Sequence, residues 1–320
     1  MRHHKKILIS ALLLPLFFFF GCPPEPDPLE EPGAFAVYRA TATAPNPENP
    51  ADAIEVGFYA PSTDGGESIA DGQFEMVVLM HGFSATYQSY EAYATHLASY
   101  GFIVVGMNFV IPSGLDGHHD YLARQTTYVL DYALGEQSPV AGHVDSAKVA
   151  AAGHSLGGKI GFYAAAIDTR ISVVMAMDPS NSGGAPCYIS PEFCNAYPVA
   201  PNPATGEIGV LDDVDAASFI MRAEPDVLFN PDPNHNAWYF FYGSDGQGMH
   251  AVGSPALYFD MGGASHVAWL INSDVKRITR RTLTAWLLAY FRGEDREAYF
   301  TGEVIQEDME SGFVVGLDAR

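Results

Sequence analysis

The residues best suited to chemistry lie in Ala150-Ala151-Ala152-Gly153-His154-Ser155-Leu156-Gly157-Gly158, an apolar run that ends in the pattern G-x-S-x-G. Such a run hands a serine from a strand to a helix through a tight, strained turn and leaves its hydroxyl exposed at the strand's carboxyl end. A side chain at Gly153 or Gly157 would collide across so sharp a turn. Lys148 to Ala152 reads as a buried strand, and Leu156 to Ile167 reads as a helix rich in Ala and Gly. Ser155 therefore has the flanks of a catalytic nucleophile. Its hydroxyl is weak until a histidine takes the proton, and that histidine needs a carboxylate to hold its tautomer and stabilise the imidazolium.

In chains with such an elbow the histidine comes last, on a loop after the final parallel strand. His266, in Met261-Gly262-Gly263-Ala264-Ser265-His266, fits that place, whereas His250 precedes the strand instead of following it. The acid has two candidates. Asp178 ends the apolar run Met175-Ala176-Met177, against Pro179, and a carboxylate there has little structural excuse. Asp245 ends Tyr242-Gly243-Ser244, after the next expected strand, but sits in turn chemistry where an aspartate serves its own backbone. On residues alone the two are even. An oxyanion hole requires two backbone N–H groups, expected from Leu156, just after the nucleophile, and from Phe83 in His81-Gly82-Phe83. His81 reads as a brace for that loop, and His118 and His119 read as surface residues at a helix start.

These groups must be positioned by elements whose order is legible. Ile54 to Tyr59, Glu75 to Met80, Gly101 to Met107, Val149 to Ala152, Ile171 to Met177, Ala237 to Tyr242 and Ala256 to Met261 are expected as strands. Tyr87 to Tyr100, Tyr121 to Leu134, Leu156 to Ile167 and a closing Asp274 to Phe291 are expected as helices. The alternation implies an α/β fold with a mostly parallel central sheet and helices on both faces. Ligands of such sheets bind beyond the strands' carboxyl ends, where Ser155, His81, Asp178, Asp245 and His266 all fall. Residues 179–236 lack a strong period and carry many Pro and Asn residues, so they are expected as a loop excursion over the active-site face. Asp212, Asp213 and Asp215 lack the spacing of a calcium loop and read as a solvated acidic stretch.

The amino terminus has its own chemistry. Basic residues precede the apolar run Ile7 to Phe20, which is too short to span a bilayer and reads as part of a signal peptide over 1–21. Gly21-Cys22 after that run resembles a bacterial lipoprotein box, although Phe19 and Phe20 depart from its usual residues. The expectation is an exported protein, either lipid-anchored to the cell envelope through Cys22 or secreted. Residues 22–34, rich in Pro and acids, are expected as an extended tether before a catalytic domain over 35–320. Cys187 and Cys194 are expected to form a local disulfide, since exported proteins meet oxidants and no histidine pair accompanies them to make a zinc site. With 38 acidic against 16 basic residues and a net charge of −22, nucleic acid is excluded as a partner. No cofactor or metal is called for. Oligomeric state is not written in the sequence.

The runs His81-Gly82-Phe83, Tyr90, His96-Leu97-Ala98-Ser99 and Gly101-Phe102-Ile103-Val104-Val105 resemble the oxyanion-loop region of chlorophyllases, and Gly153-His154-Ser155-Leu156-Gly157-Gly158-Lys159 resembles their elbow. Leu156 stands where plant members typically carry arginine. Asp178-Pro179 is similar to their acid motif, and Gly263-Ala264-Ser265-His266 to their histidine loop. The layout resembles the α/β-hydrolase group that also holds platelet-activating-factor acetylhydrolases. Bacterial cutinases and polyester hydrolases are similar over the first half but take their acid from the later strand. The resemblance implies the α/β-hydrolase fold, hydrolysis of carboxylic esters through an acyl-enzyme, and Asp178 as the acid. Small-molecule, lipid and polymeric esters are the implied substrate classes. Phe83, Tyr87, Trp238 and Trp269 would admit an apolar acyl or aryl group. Two other readings remain: a cutinase- or lipase-like hydrolase of polyesters or lipids using Asp245, and a surface binding protein that keeps the fold without turnover.

Overall fold

Consecutive apolar residues, as opposed to alternating ones, mark strands covered on both faces. A computed structural model of the chain, which describes residues 27–111, 119–180, 211, 214–224, 237–242, 252–253 and 255–320, shows how these runs assemble. In β3 (Phe74–Met80), Met76, Val78 and Met80 enter one hydrophobic layer while Val77 and Leu79 enter the other. The strands β4 (Ile103–Met107), β5 (Val144–His154) and β6 (Ile171–Met177) divide their residues likewise.

Among the described residues there is one sheet of nine strands in the order β1-β2-β4-β3-β5-β6-β7-β8-β9. It opens with β1 (Ala36–Ala44) and β2 (Ile54–Ser62), each antiparallel to its next neighbour. From β4 across β3, β5 and β6 to β7 (Ala217–Glu224) and β8 (Ala256–Gly262) all pairings are parallel. The sheet closes with β9 (Val314–Ala319), antiparallel to β8.

Helices α2 (His119–Leu134), α3 (Leu156–Ile167) and α4 (Ala237–Tyr242) contribute Leu122, Val129, Ile160, Phe162 and Phe240 to one layer. The other face is covered by α1 (Glu91–Ser99) and α6 (Ser273–Arg292), through Leu97, Ile278, Leu287 and Phe291. The short α5 (Ala268–Ile271) and α7 (Glu303–Glu310) complete that side. The Asn272 side chain accepts hydrogen bonds from the Asp274 and Val275 N–H groups to start α6, and Gly293, at φ 65°, ends it. This is the α/β-hydrolase architecture that the strand order anticipates.

Several elements differ from expectation. Ala237–Tyr242 is helical, not a strand: its six residues are mostly aromatic, a composition that also suits strands, but Phe240 and Phe241 turn toward the same layer as Phe162. The strand beside β6 is instead β7, inside the stretch expected as a loop excursion. β1 and the tail elements α7 and β9 were not anticipated.

The tether also departs from the expected free spacer where it is described. Leu29 is buried against the α1 and α6 layer, and Glu30 lies between Arg277 and Arg281. The Tyr100 hydroxyl donates to the Pro28 carbonyl at 2.5 Å, and Gly33 N–H donates to Ser99 Oγ at 2.8 Å. One buried leucine, one paired glutamate and these hydrogen bonds hold a proline-rich segment against the domain. The docked segment thus reaches back at least to Asp27, eight residues before Phe35. Cys22, Cys187, Cys194, His118, Asp212, Asp213, Asp245 and His250 lie outside the described residues.

Candidate active site

The elbow is built as its glycines require. Ser155 adopts φ 55° and ψ −117°, a conformation that costs a non-glycine residue about 1–3 kcal/mol and is held by its surroundings. Its N–H donates to the Met177 carbonyl at 3.0 Å, and its carbonyl accepts from Lys159 N–H at 3.1 Å. A Cβ on Gly153 would come within 2.4 Å of the Gly157 backbone, and one on Gly157 within 2.4 Å of the Met80 carbonyl oxygen. The turn can thus close only with hydrogen at both positions. Lys159 is fully buried on α3, which pushes its ammonium well below the usual lysine range.

Three sequence-predicted residues converge. His266 follows β8 on its loop, with Nε2 at 2.7 Å from Ser155 Oγ and Nδ1 at 2.6 Å from Asp178 Oδ2. Asp178, at φ 46°, is wholly buried just past β6. Its other oxygen accepts from Ala223 N–H at 3.0 Å, and its own N–H donates to the Met221 carbonyl at 2.7 Å, so β7 holds both the carboxylate and the backbone of Asp178. The acceptor-only carboxylate requires the hydrogen on Nδ1, which leaves the Nε2 lone pair facing the serine hydroxyl. Serine, imidazole and carboxylate are in line for proton transfer away from Oγ.

The loop after β3 lies against the elbow: a Cβ on Gly82 would come within 3.3 Å of Ser155 Cβ. His81 accepts from Phe109 N–H at Nε2, 3.0 Å away, so its Nδ1 carries the hydrogen and donates to the Gly82 carbonyl at 2.7 Å. Burial lowers the pKa of His81 and keeps it neutral for this task. In a trans peptide the carbonyl and the following N–H point in opposite directions. Holding the Gly82 carbonyl therefore aims the Phe83 N–H away from His81. The Phe83 ring is 41 % exposed beside the elbow.

Other expected residues fall elsewhere. Tyr87 is core: its ring fills the space that Gly57 and Gly106 leave open. His119 is buried, not on the surface, with its ring edge-on to Tyr163 at 6.3 Å. Trp238 stacks on Tyr242 within α4, and Asp215 is exposed. Asp245 follows a helix in chain order, so the strand end that recommended it is absent. Trp269 lies flat on the ring of His154, 5.8 Å away, and His154 was missed as a functional candidate. The signal was present, since a polar ring between Gly153 and Ser155 had to be buried in the elbow.

A family model described as PET hydrolase-like matches residues 58–190, from β2 to beyond β6. Chlorophyllase-2 of Arabidopsis thaliana is 24 % identical over 264 residues, which cover 75 % of this chain and 81 % of that protein. A bis(hydroxyethyl) terephthalate hydrolase of Streptomyces coelicolor is 35 % identical over 116 residues, 36 % of each chain. Chlorophyllase-1 of Citrus sinensis is 26 % identical over 149 residues, 46 % of this chain and 43 % of that protein. The chain thus spans most of one relative and less than half of the other two. Its fold is that of an α/β-hydrolase, and its sequence is similar to those of ester hydrolases, chlorophyllases and PET hydrolase-like proteins among them.

Proposed function

We propose that the chain is a serine esterase in which Ser155 attacks the ester carbonyl, His266 carries the proton and Asp178 orients His266. The observation that carries this reading is the continuous hydrogen bonding from Ser155 Oγ through His266 to Asp178, at 2.7 and 2.6 Å. As Oγ bonds to the carbonyl carbon, its proton passes to His266 Nε2, and the imidazolium is stabilised by the buried carboxylate. The carbonyl oxygen gains negative charge and is met by the Phe83 and Leu156 N–H groups, each lowering the barrier by about 3 kcal/mol. The tetrahedral intermediate collapses, His266 returns the proton to the departing alcohol, and an acyl-Ser155 remains. Water then enters, gives its proton to His266 and releases the acid by the same route.

The half-exposed Phe83 beside the elbow supports an ester with an apolar acyl or aryl portion. Chlorophyll, lipids and terephthalate-type esters share that chemistry. Asp245 is disfavoured as the acid because the Nδ1 hydrogen of His266, which an orienting acid would accept, is already taken by Asp178. Export through residues 1–21, lipidation at Cys22 and a Cys187–Cys194 disulfide belong to the same proposal, which puts the enzyme outside the cytoplasm, anchored to the cell envelope or secreted. Mass spectrometry of the protein quenched during turnover of a slow aryl ester tests the chemistry. The expected result is an acyl mass on the peptide bearing Ser155; an adduct elsewhere contradicts it.

A further inference from the structure

His154, inside the elbow, takes no part in the steps above, yet it is 3 % exposed and fully engaged. Its Nδ1 lies 2.7 Å from Tyr90 Oη and its Nε2 lies 2.7 Å from the His266 backbone carbonyl. Tyr90 Oη also accepts from Gly82 N–H at 3.2 Å. The direction of each bond is forced. A carbonyl oxygen only accepts, so Nε2 of His154 carries the hydrogen and Nδ1 holds the lone pair. Tyr90 must then donate to Nδ1, which leaves its oxygen free to accept from Gly82. One pattern of hydrogens satisfies all four groups.

We propose that Tyr90 and His154 form a positioning relay that locks the oxyanion loop to the histidine loop across the nucleophile elbow. At one end it holds the Gly82 N–H while His81 holds the Gly82 carbonyl, so both peptides flanking that residue are fixed before Phe83. At the other end it holds the backbone of His266 itself, and the Tyr93 hydroxyl donates to the Trp269 carbonyl at 2.8 Å, pinning the short helix that follows. A displacement well below 1 Å between Oγ, Nε2 and the oxyanion donors is enough to slow such a reaction about tenfold or more.

The relay must also stay uncharged. The His154 and His266 rings are 5.0 Å apart, so a proton on His154 would oppose the imidazolium that His266 has to form. Burial, aided by the neighbouring His266, pushes His154 down to about 3, and burial pushes the Tyr90 phenol up. The ionisable groups facing His154 are Tyr90 and His266, with Asp178 behind the latter. The kinetic role rests on the esterase reading, while the hydrogen pattern does not.

The test has two arms on the folded enzyme. In the first, nuclear magnetic resonance of 15N-histidine-labelled protein, with His154 assigned by its loss in His154→Phe, is followed from pH 5 to 9. A neutral Nε2–H tautomer throughout is expected; an Nδ1–H tautomer, or titration in that range, overturns the relay. In the second, Tyr90→Phe and His154→Phe are each expected to lower kcat about 10- to 100-fold with KM within about threefold, and the double variant to fall no further than the worse single one. His154→Gln, which still offers an N–H to the His266 carbonyl, should recover most of the loss at an unchanged melting temperature. Unaltered kcat in Tyr90→Phe, or losses that multiply in the double variant, overturns the positioning role. If the wild type hydrolyses no ester, the esterase reading fails separately and the tautomer decides the relay by itself.

Discussion

At the scale of residues, the chemistry depends on which hydrogens are where. The Asp178 carboxylate, buried and gripped by Ala223 N–H, fixes the His266 tautomer, and that tautomer alone leaves a lone pair for Ser155. Asp178→Asn should keep the fold but present an amide that can stabilise the wrong tautomer, lowering kcat by about four orders of magnitude. Asp245→Asn should leave kcat within a few fold. Steady-state rates on one activated ester distinguish these outcomes, and the opposite ranking would move the acid role to the later loop. Ser155 and His266 were legible because an elbow glycine pattern and a loop after the final strand leave few alternatives. Asp178 and Asp245 were not separable from residues alone, because the strand placing Asp245 had to be inferred from six mostly aromatic residues that fit a helix equally well. His154 escaped notice because sequence reading attends to the serine of G-x-S-x-G and not to the side chain that the turn buries.

At the scale of elements, the strands that carry the site were readable because both faces are covered, so their residues are apolar without interruption. β1 and β9 lie at the sheet edges, with exposed and half-buried residues that give no such run. β7 was hidden by its surroundings of Pro and Asn, although its own Ser218-Phe219-Ile220-Met221 core is as buried as that of β6. The docked amino-terminal segment was obscured by its prolines, which suggest a spacer, and its anchors are single residues. Glu30 shares Arg281 with Asp308, and Arg281 is only 4 % exposed, so removing the segment takes one counter-charge from a buried guanidinium. A chain beginning at Phe35 is therefore expected to be less stable than one beginning at Asp27 by about 2 kcal/mol or more, roughly 5 °C in Tm. Calorimetry of the two chains checks this; equal melting temperatures would mean that the segment merely rests on the surface.

At the scale of the whole molecule, two deeply shifted histidines contribute to the response to acid. Burial pushes His96 down to about 4 and His154 down to about 3, against about 6.5 in an unfolded chain. Between those values the unfolded state binds more protons than the folded one, so stability falls as pH drops below about 6.5. Each histidine removes about 2 kcal/mol between pH 6.5 and pH 5. Tm should therefore decline clearly from pH 7 to pH 5, and His96→Gln should flatten that decline; an unchanged slope in the variant would show that His96 is not buried in its neutral form.

The esterase reading itself is tested most directly by hydrolysis of p-nitrophenyl esters from acetate to palmitate by the wild type beside Ser155→Ala. Turnover that depends on Ser155, with an acyl-length optimum, is the predicted result. Hydrolysis undiminished in Ser155→Ala, or none in the wild type with any ester in the series, would contradict it and favour a binding protein on a hydrolase fold.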